Sequence, residues 1–427
     1  MASTYLTRNF TATGNRKIYT TSCWVKRSQI GATQMLISAD LQGDASYYSM
    51  IYIDGSDKLV MYNVDSGSND IYVQTNRLFR DTSAWYHIVI AFDTTQGTAS
   101  NRIKFYVNGV QETSMGQTTY PSLDSDNTFF NRAYRHNIGN KSYNNANYFS
   151  GSLSHFNFID GTAYDATAFG EYDANGVWKI KTSPSVTYGT NGFFILKDGN
   201  SVTDQSGNSN NFTVASGTLT NTEDSPSNVF ATMNPLARWG SNLNFSNGNN
   251  SVIETNSNWA VSSSTLGASK GKFYYEYKIT TTESGGNPPY HQLGFISDQA
   301  SSNTAQFITQ IDGGYAFYVI NGDLKVEDVN GVITGYDEST LATSFTLNDI
   351  MCLAVDMDNK RAYFRKNDDA WIKSANPANG TNGLDISAYY TAGKAIIPAI
   401  AIYFGGAGSI NFGNGYFGTT AVASAGT

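Results

Sequence analysis

The chain has 427 residues and a net charge of −8; only 15% of residues are charged, whereas 14% are aromatic, with 28 Tyr and 24 Phe. That length is enough for two or three domains, each with a core of its own. The charge is spread out and leaves no basic stripe to meet a phosphate backbone, which argues against nucleic acid as a partner, and no apolar run of about 18 residues marks a membrane span.

Tyr, Phe, Thr and Val suit a pleated, half-buried surface, and the 40 Gly with abundant Asn and Ser supply the turns between short strands, so an all-β protein is expected. The opening "MASTYLTRNF" lacks the apolar core of a secretory leader, so any exit from the cell is expected by another route, such as host lysis. Next comes "TSCWVKRS", where Cys23 alternates with apolar neighbours as a buried strand residue would. "YYSMIYID", "KLVMYNV", "WYHIVIAFD" and "IKFYVNG" follow as strands parted by turn signals. The stretch "FNFIDGTAYDATAFGEYDANGVW" gathers Asp160, Asp165, Glu171 and Asp173 among aromatics. It reads as a strand, a turn and a short helical segment for which Asp165 serves as N-cap.

Residues 199–228 are rich in Ser, Thr and Asn and poor in apolar residues, as a linker or a peripheral excursion would be. Strand patterns then resume with "GKFYYEYKIT", "YAFYVING", "IMCLAVDMD" and "RAYFRKN"; Cys352 is again a small buried hydrophobe, and no Cys or His pair has zinc spacing. Residues 87–109 and 351–371 share one grammar: an apolar strand ends at an Asp (Asp93, Asp356), a polar turn follows, and a return strand alternates aromatics. Each Asp is expected to cap its turn. The expected domains are 1–198, the linker or peripheral segment 199–228, 229–417, and a tail 418–427.

Several stretches carry family resemblance. "TSCWVKRS", "SAWYHIVIAFD", "IKFYVNGV" and "YFSGSLSHFNFIDGTAYDATAFGE" resemble the laminin-G-like, concanavalin A-type lectin fold. The longer ending, through "GVWKIK", "YGTNGFFI", "DQSGNSNNFTV" and "DSPSNVFATMNP", is similar to a group of phage virion proteins, as is the opening "ASTYLTRNFTATGNRKIYTTSCWVKR". In the second half, "GKFYYEYKIT", "LNDIMCLAVDMDNKRAYFRKNDDAW" and "IIPAIAIYFGGAGSINFG" resemble a SPRY domain, with Asn348 in place of the usual Gly and Asp368-Asp369 in place of an Asn-Gly-type turn. The resemblances imply two antiparallel jelly-roll (concanavalin A-like) β-sandwiches in tandem.

Hydrolysis on such a sandwich would use Glu-x-Asp-x-Glu on one strand, where alternation turns all three acids into a cleft; the chain has no such motif, and Glu171-Tyr-Asp173 lies in turn context. The four histidines (His87, His136, His155, His291) are far apart, without a nucleophile elbow. The chain is therefore expected not to be an enzyme. No cofactor is certain, but calcium is a candidate on the sandwich rim, where Asp54, Asp65, Asp124, Asp126 and above all Asp160 offer hard oxygen ligands. Sugar binding would use aromatic platforms beside amides, as in "KSYNNANYF" (Tyr143, Asn144, Asn145) and "GGNPPYHQ" (Tyr290, His291).

The function expected from this is that of a structural or adhesive virion protein of a tailed phage, displayed as a fibre, decoration or tail appendage. Its expected partners are capsid or tail proteins, further copies of itself (a trimer favoured, docking through a sandwich face or edge without a separate anchoring domain) and a host surface glycan. A stand-alone lectin and a polysaccharide depolymerase are the alternatives.

Overall fold

The computed structural model describes residues 3–422 except 42, 127–128, 198–200, 241, 257, 284–288, 299–305, 392 and 419. The expected boundary at 198/199, part of "GGNPPYHQ" and most of the tail lie outside the described residues. The chain divides into two compact units, Met1–Val229 and Phe230–Thr427. Each is an antiparallel β-sandwich.

In the first unit, an eight-stranded sheet runs in the order Met115–Thr119, Ser68–Leu78, Lys58–Asp65, Tyr48–Ile53, Gln34–Asp40, Arg135–Ile138, Tyr5–Asn9, Thr213–Ser216. Its partner sheet runs Phe193–Ile195, Gly151–Asp160, Ile18–Arg27, Tyr86–Asp93, Ile103–Val107, Val110–Glu112. Alternate residues of both sheets meet in one core. Ile37, Ile51, Met61 and Val73 come from the larger sheet, and Tyr19, Cys23, Ile90, Phe105 and Phe158 from the smaller. Tyr19 stacks on Phe92 at 4.6 Å and on Phe158 at 5.5 Å, which fixes three strands of the smaller sheet side by side.

Turn chemistry explains the hairpins. Asn108 and Gly109 both take positive φ (48° and 83°), as a two-residue hairpin turn requires. Asp93 accepts from the Thr95 N–H at 3.0 Å, and Asp356 from the N–H groups of Asp358 and Asn359. Both therefore cap the turns of the two similar hairpins. Asp165 accepts from the Thr167 N–H and starts a single 3₁₀ turn, Ala166–Ala168. Cys23 and Cys352 are buried free thiols.

The stretch read as a linker or peripheral segment runs with the first unit. Thr213–Ser216 pairs with the first strand. Asp204 gathers the N–H groups of Phe194, Ser206 and Asn210. Asp224 receives the Lys26 ammonium at 2.7 Å in the interior.

The second unit stacks two seven-stranded sheets. One runs Met233–Trp239, Ala260–Ser264, Ile396–Ile402, His291–Ser297, Tyr315–Ile320, Asp323–Asp328, Gly331–Val332; the other runs Leu243–Ser246, Ser251–Glu254, Ala407–Asn411, Lys272–Thr281, Ile350–Asp356, Arg361–Lys366, Leu384–Asp385. Leu293, Phe317 and Ile400 from the first meet Tyr275, Leu353 and Phe364 from the second.

Candidate functional site

The outward face of the first unit's larger sheet carries a field of tyrosines. Strand register puts Ser38, Met50, Tyr62, Tyr72 and Thr119 in one row across five strands. The adjoining rows place Asp40 beside Tyr48 and Val64, and Met35 beside Tyr52, Val60 and Gln74. Because side chains alternate, these rows face away from the core that Ile51, Met61 and Val73 enter. Tyr62 and Tyr72 lie 5.4 Å apart edge-to-face, and Tyr48 lies 6.0 Å from Tyr62. All four tyrosines (Tyr48, Tyr52, Tyr62, Tyr72) are half-buried, while Met50 and Val60 beneath them are closed off.

The loop 139–149 extends this platform. Ser38 Oγ donates to the Asn140 carbonyl and accepts from the Ser142 N–H, and Arg135 donates to the Ser142 carbonyl at 2.6 Å while forking onto Asp40. Asn145 and Asn147 take left-handed φ (50° and 53°), a conformation that Asn tolerates well. So anchored, the loop sets Tyr143 4.7 Å from Tyr48. Its ring is covered on one side by the Lys141 ammonium at 4.9 Å. Burial, and then neighbouring phenols, push the hydroxyls of Tyr48 and Tyr52 well above the ordinary tyrosine value, and burial raises that of Tyr62. Those three hydroxyls therefore stay protonated.

Of the expected sugar-loop residues in the first unit, Tyr143 joins this cluster, whereas Asn144 and Asn145 are exposed at the loop tip. Sequence reasoning missed Tyr48, Tyr52, Tyr62 and Tyr72. Their signal is present in "YYSMIYID", "KLVMYNVD" and "NDIYVQ", where tyrosines occupy the face that an ordinary half-exposed strand fills with charge.

The second unit brings Tyr290 into another aromatic group on an outward sheet face. Trp259 lies 5.3 Å from Tyr403, 5.0 Å from Phe307 and 5.5 Å from Tyr318, and Tyr290 lies 5.6 Å from Tyr403. His291 does not share that face, which corrects its expected place on the loop. The strand has already begun there, so alternation turns the imidazole into the core. Its Nδ1 lies 2.9 Å from the Tyr277 hydroxyl, its Nε2 lies 3.9 Å from Glu283, and burial lowers its pKa to about 3.

The carboxylates hold the fold together. Asp160 accepts from the Asn15 N–H (2.8 Å), Asn131 Nδ2 (2.6 Å) and the Asn191 N–H (3.0 Å), so hydrogen-bond donors surround the oxygens expected to ligate an ion. Asp54 caps its turn through the Ser56 and Lys58 N–H groups, Asp65 accepts from Ser66, Asp124 pairs with Lys17 and Asp126 with Arg16. Among the described residues, no three Asp, Glu, His or Cys side chains are grouped as a metal would need. Asp173 is tied into its turn by the Asn175 and Val177 N–H groups, while Glu171 stands exposed 3.9 Å from Lys181.

His87 touches Ser22 at 3.0 Å, but its Nδ1 accepts from the Trp178 indole, which leaves the proton on Nε2 to be donated to Ser22. A base that activates serine needs the opposite arrangement. The pair is also sealed in the interior.

Comparison with known proteins bears on the fold. The family model described as concanavalin A-like lectin/glucanases superfamily matches residues 2–166. No curated protein matches the sequence. Among solved structures, the SPRY domain of human HERC1 is 18% identical at TM-score 0.31, covering 42% of this chain and 96% of that one. Domains LG4-5 of the mouse laminin alpha1 chain are 9% identical at TM-score 0.30, covering 96% and 86%. A Ruminococcus gnavus IT-sialidase CBM40 bound to alpha2,3 sialyllactose is 15% identical at TM-score 0.25, covering 34% and 74%. At such TM-scores these likenesses bear on neither site nor ligand.

Proposed function

We propose that the chain is a non-enzymatic, glycan-binding surface protein of a tailed-phage virion, carried as a fibre, decoration or tail appendage. The observation that carries the binding reading is the tyrosine face of the first unit. Tyr48, Tyr62, Tyr72 and Tyr143 form a continuous aromatic surface on rigid strands and a pinned loop. Sugar rings stack on such surfaces through their C–H faces and hydrogen-bond at their edges. The particle reading rests on the ordered run of virion-like motifs through about residue 235. Many copies on a particle would turn weak single-site contacts into useful avidity. Partners would be capsid or tail proteins and further copies of this chain, with a trimer favoured.

The test has two arms. Antibody labelling of intact particles should decorate the head or the tail, and particles without label would end the virion reading. A glycan array probed with the whole chain should give signals that Tyr62→Ala removes; an array silent for both proteins would end the binding reading.

A further inference from the structure

We infer that the tyrosine face takes an uncharged saccharide, read at one end by a polar group made of Gln74, Lys58 and Asn76; the inference rests on the glycan-binding reading above. Charge chooses the class. Arg135, the arginine in the rows of this face, is consumed by Asp40 and by the Ser142 carbonyl. Lys141 is spent on Tyr143, donating to its hydroxyl at 3.1 Å. Carboxylates stand on the turns beside the platform: Asp44 and Asp65 flank the Tyr48 end, and Asp54 lies beyond Tyr52. A sialylated, uronic or sulfated chain would meet these three carboxylates with one unpaired cation among the described residues of the face, the Lys58 ammonium at the far end, set against them, so the face repels negative charge on balance. A neutral chain would keep the stacking and lose nothing.

The polar end sets orientation. Gln74 donates through Nε2 to Asp54 at 2.7 Å, which fixes its amide and leaves Oε1 as the acceptor. Gly116, on the neighbouring strand, stands over this group. A Cβ there would lie 2.9 Å from Asn76 Oδ1, 3.3 Å from Gln74 Oε1 and 3.5 Å from Lys58 Nζ. Only a bare backbone at 116 lets two acceptors and an ammonium converge this closely beneath it, a set that fits adjacent hydroxyls of one sugar, and any side chain there would push the three apart. Gln74 is in the same row as Tyr52 and Val60, so a chain lying across the tyrosines ends there.

The experiment is affinity electrophoresis of the whole chain through gels holding neutral polysaccharides (a glucan, an arabinoxylan, a galactomannan) or anionic ones (polygalacturonate, hyaluronan, a sulfated galactan). Retardation is expected in at least one neutral gel and in no anionic gel. Tyr62→Ala and Tyr143→Ala should each weaken it about tenfold, the loss of roughly one stacking contact. Gly116→Leu should weaken it while leaving the thermal transition in place; Tyr143 lies on a half-exposed loop, so its variant tests the site without risk to the core. Retardation by anionic gels alone would overturn the class and leave glycan binding standing. Retardation in none would overturn both. Binding that survives these variants but falls with Trp259→Ala would move the site to the second unit and overturn the assignment. Self-association abolished by Tyr62→Ala would also overturn it, by showing a second copy on this face.

Discussion

Acidification should unfold the two units unequally. His87 and His136 are both buried in the first unit, and each is fixed in a neutral tautomer. His87 accepts from Trp178 at Nδ1, and His136 accepts from the Asn131 N–H at Nε2 while facing the Tyr134 carbonyl through Nδ1. Burial lowers their pKa values from 6.5 to about 3 and about 4. A value depressed on folding means that the unfolded chain binds the proton more tightly. The stabilising contribution is therefore complete above pH 6.5 and is withdrawn as the pH falls toward the folded values. From pH 7.5 to 4.5 the two rings together should remove about 5 kcal/mol from the first unit, a large share of a typical domain's stability.

The second unit carries its own compensation. His291, lowered to about 3, behaves in the same way, but burial raises Glu283 from 4.5 to about 7. A raised carboxyl contributes fully below pH 4.5 and loses that contribution as the pH rises through 7, so the two terms oppose each other at about 3 kcal/mol each over the same interval. Hydrogen exchange of the intact chain, read peptide by peptide and corrected for intrinsic pH dependence, separates the units. Strands 18–27 and 86–93 should lose protection by about a thousandfold or more, while 291–297 and 396–402 change by less than about tenfold. His87→Gln should halve the slope in the first unit. Equal losses in both units, or a flat profile in the first, would refute the reasoning.

Replacing Asp160 by Ala strands the Asn15 and Asn191 N–H groups in the interior and removes one of the Asn131 amide's two acceptors, and should cost the first unit about 3 kcal/mol or more by chemical denaturation. Because donors already saturate that carboxylate, adding calcium or a chelator should leave the melting temperature of the first unit unchanged in calorimetry. Asp57 holds Arg27, which is 0% exposed, and also Arg80, which is 55% exposed. Asp57→Ala should cost about 3–5 kcal/mol, whereas Arg80→Ala should cost less than about 1 kcal/mol, both by urea denaturation. Gly109→Ala places a methyl group into the Trp178 ring at a residue with φ 83°. It should cost about 2 kcal/mol and shift the tryptophan emission.

The sheets were legible in the sequence wherever a strand was bounded by its own turn. "IKFYVNG" carries its hairpin in Asn108-Gly109, and Asp93, Asp165 and Asp356 cap the turns that their local spacing implies. The knot at Asp160 was not legible, because its partners Asn15, Asn131 and Asn191 lie far away along the chain. An acidic cluster in the sequence gives no clue to distant amide donors. The binding face was half legible. Composition singled out the loop of Tyr143, but the four tyrosines beneath it come together only through the register of neighbouring strands, which alternation within one strand does not specify. His291 was misplaced for a similar reason: the composition of "GGNPPYHQ" suggested a sugar-binding loop, but the strand begins at His291 itself.

The strand Tyr5–Asn9 has both of its neighbours much later in the chain, at Arg135–Ile138 and Thr213–Ser216. During synthesis it emerges ahead of both partners and waits with both edges unpaired until residues 135–138 and 213–216 have followed. Closing that sheet is a long-range event, with a high loop-closure cost and a correspondingly slow final step. Through that interval the exposed edge is open to pairing with a strand of another nascent chain. Yield at high expression should therefore depend on how quickly residues 135–216 follow the first strand out, and slowing translation within that stretch should favour aggregates over soluble protein.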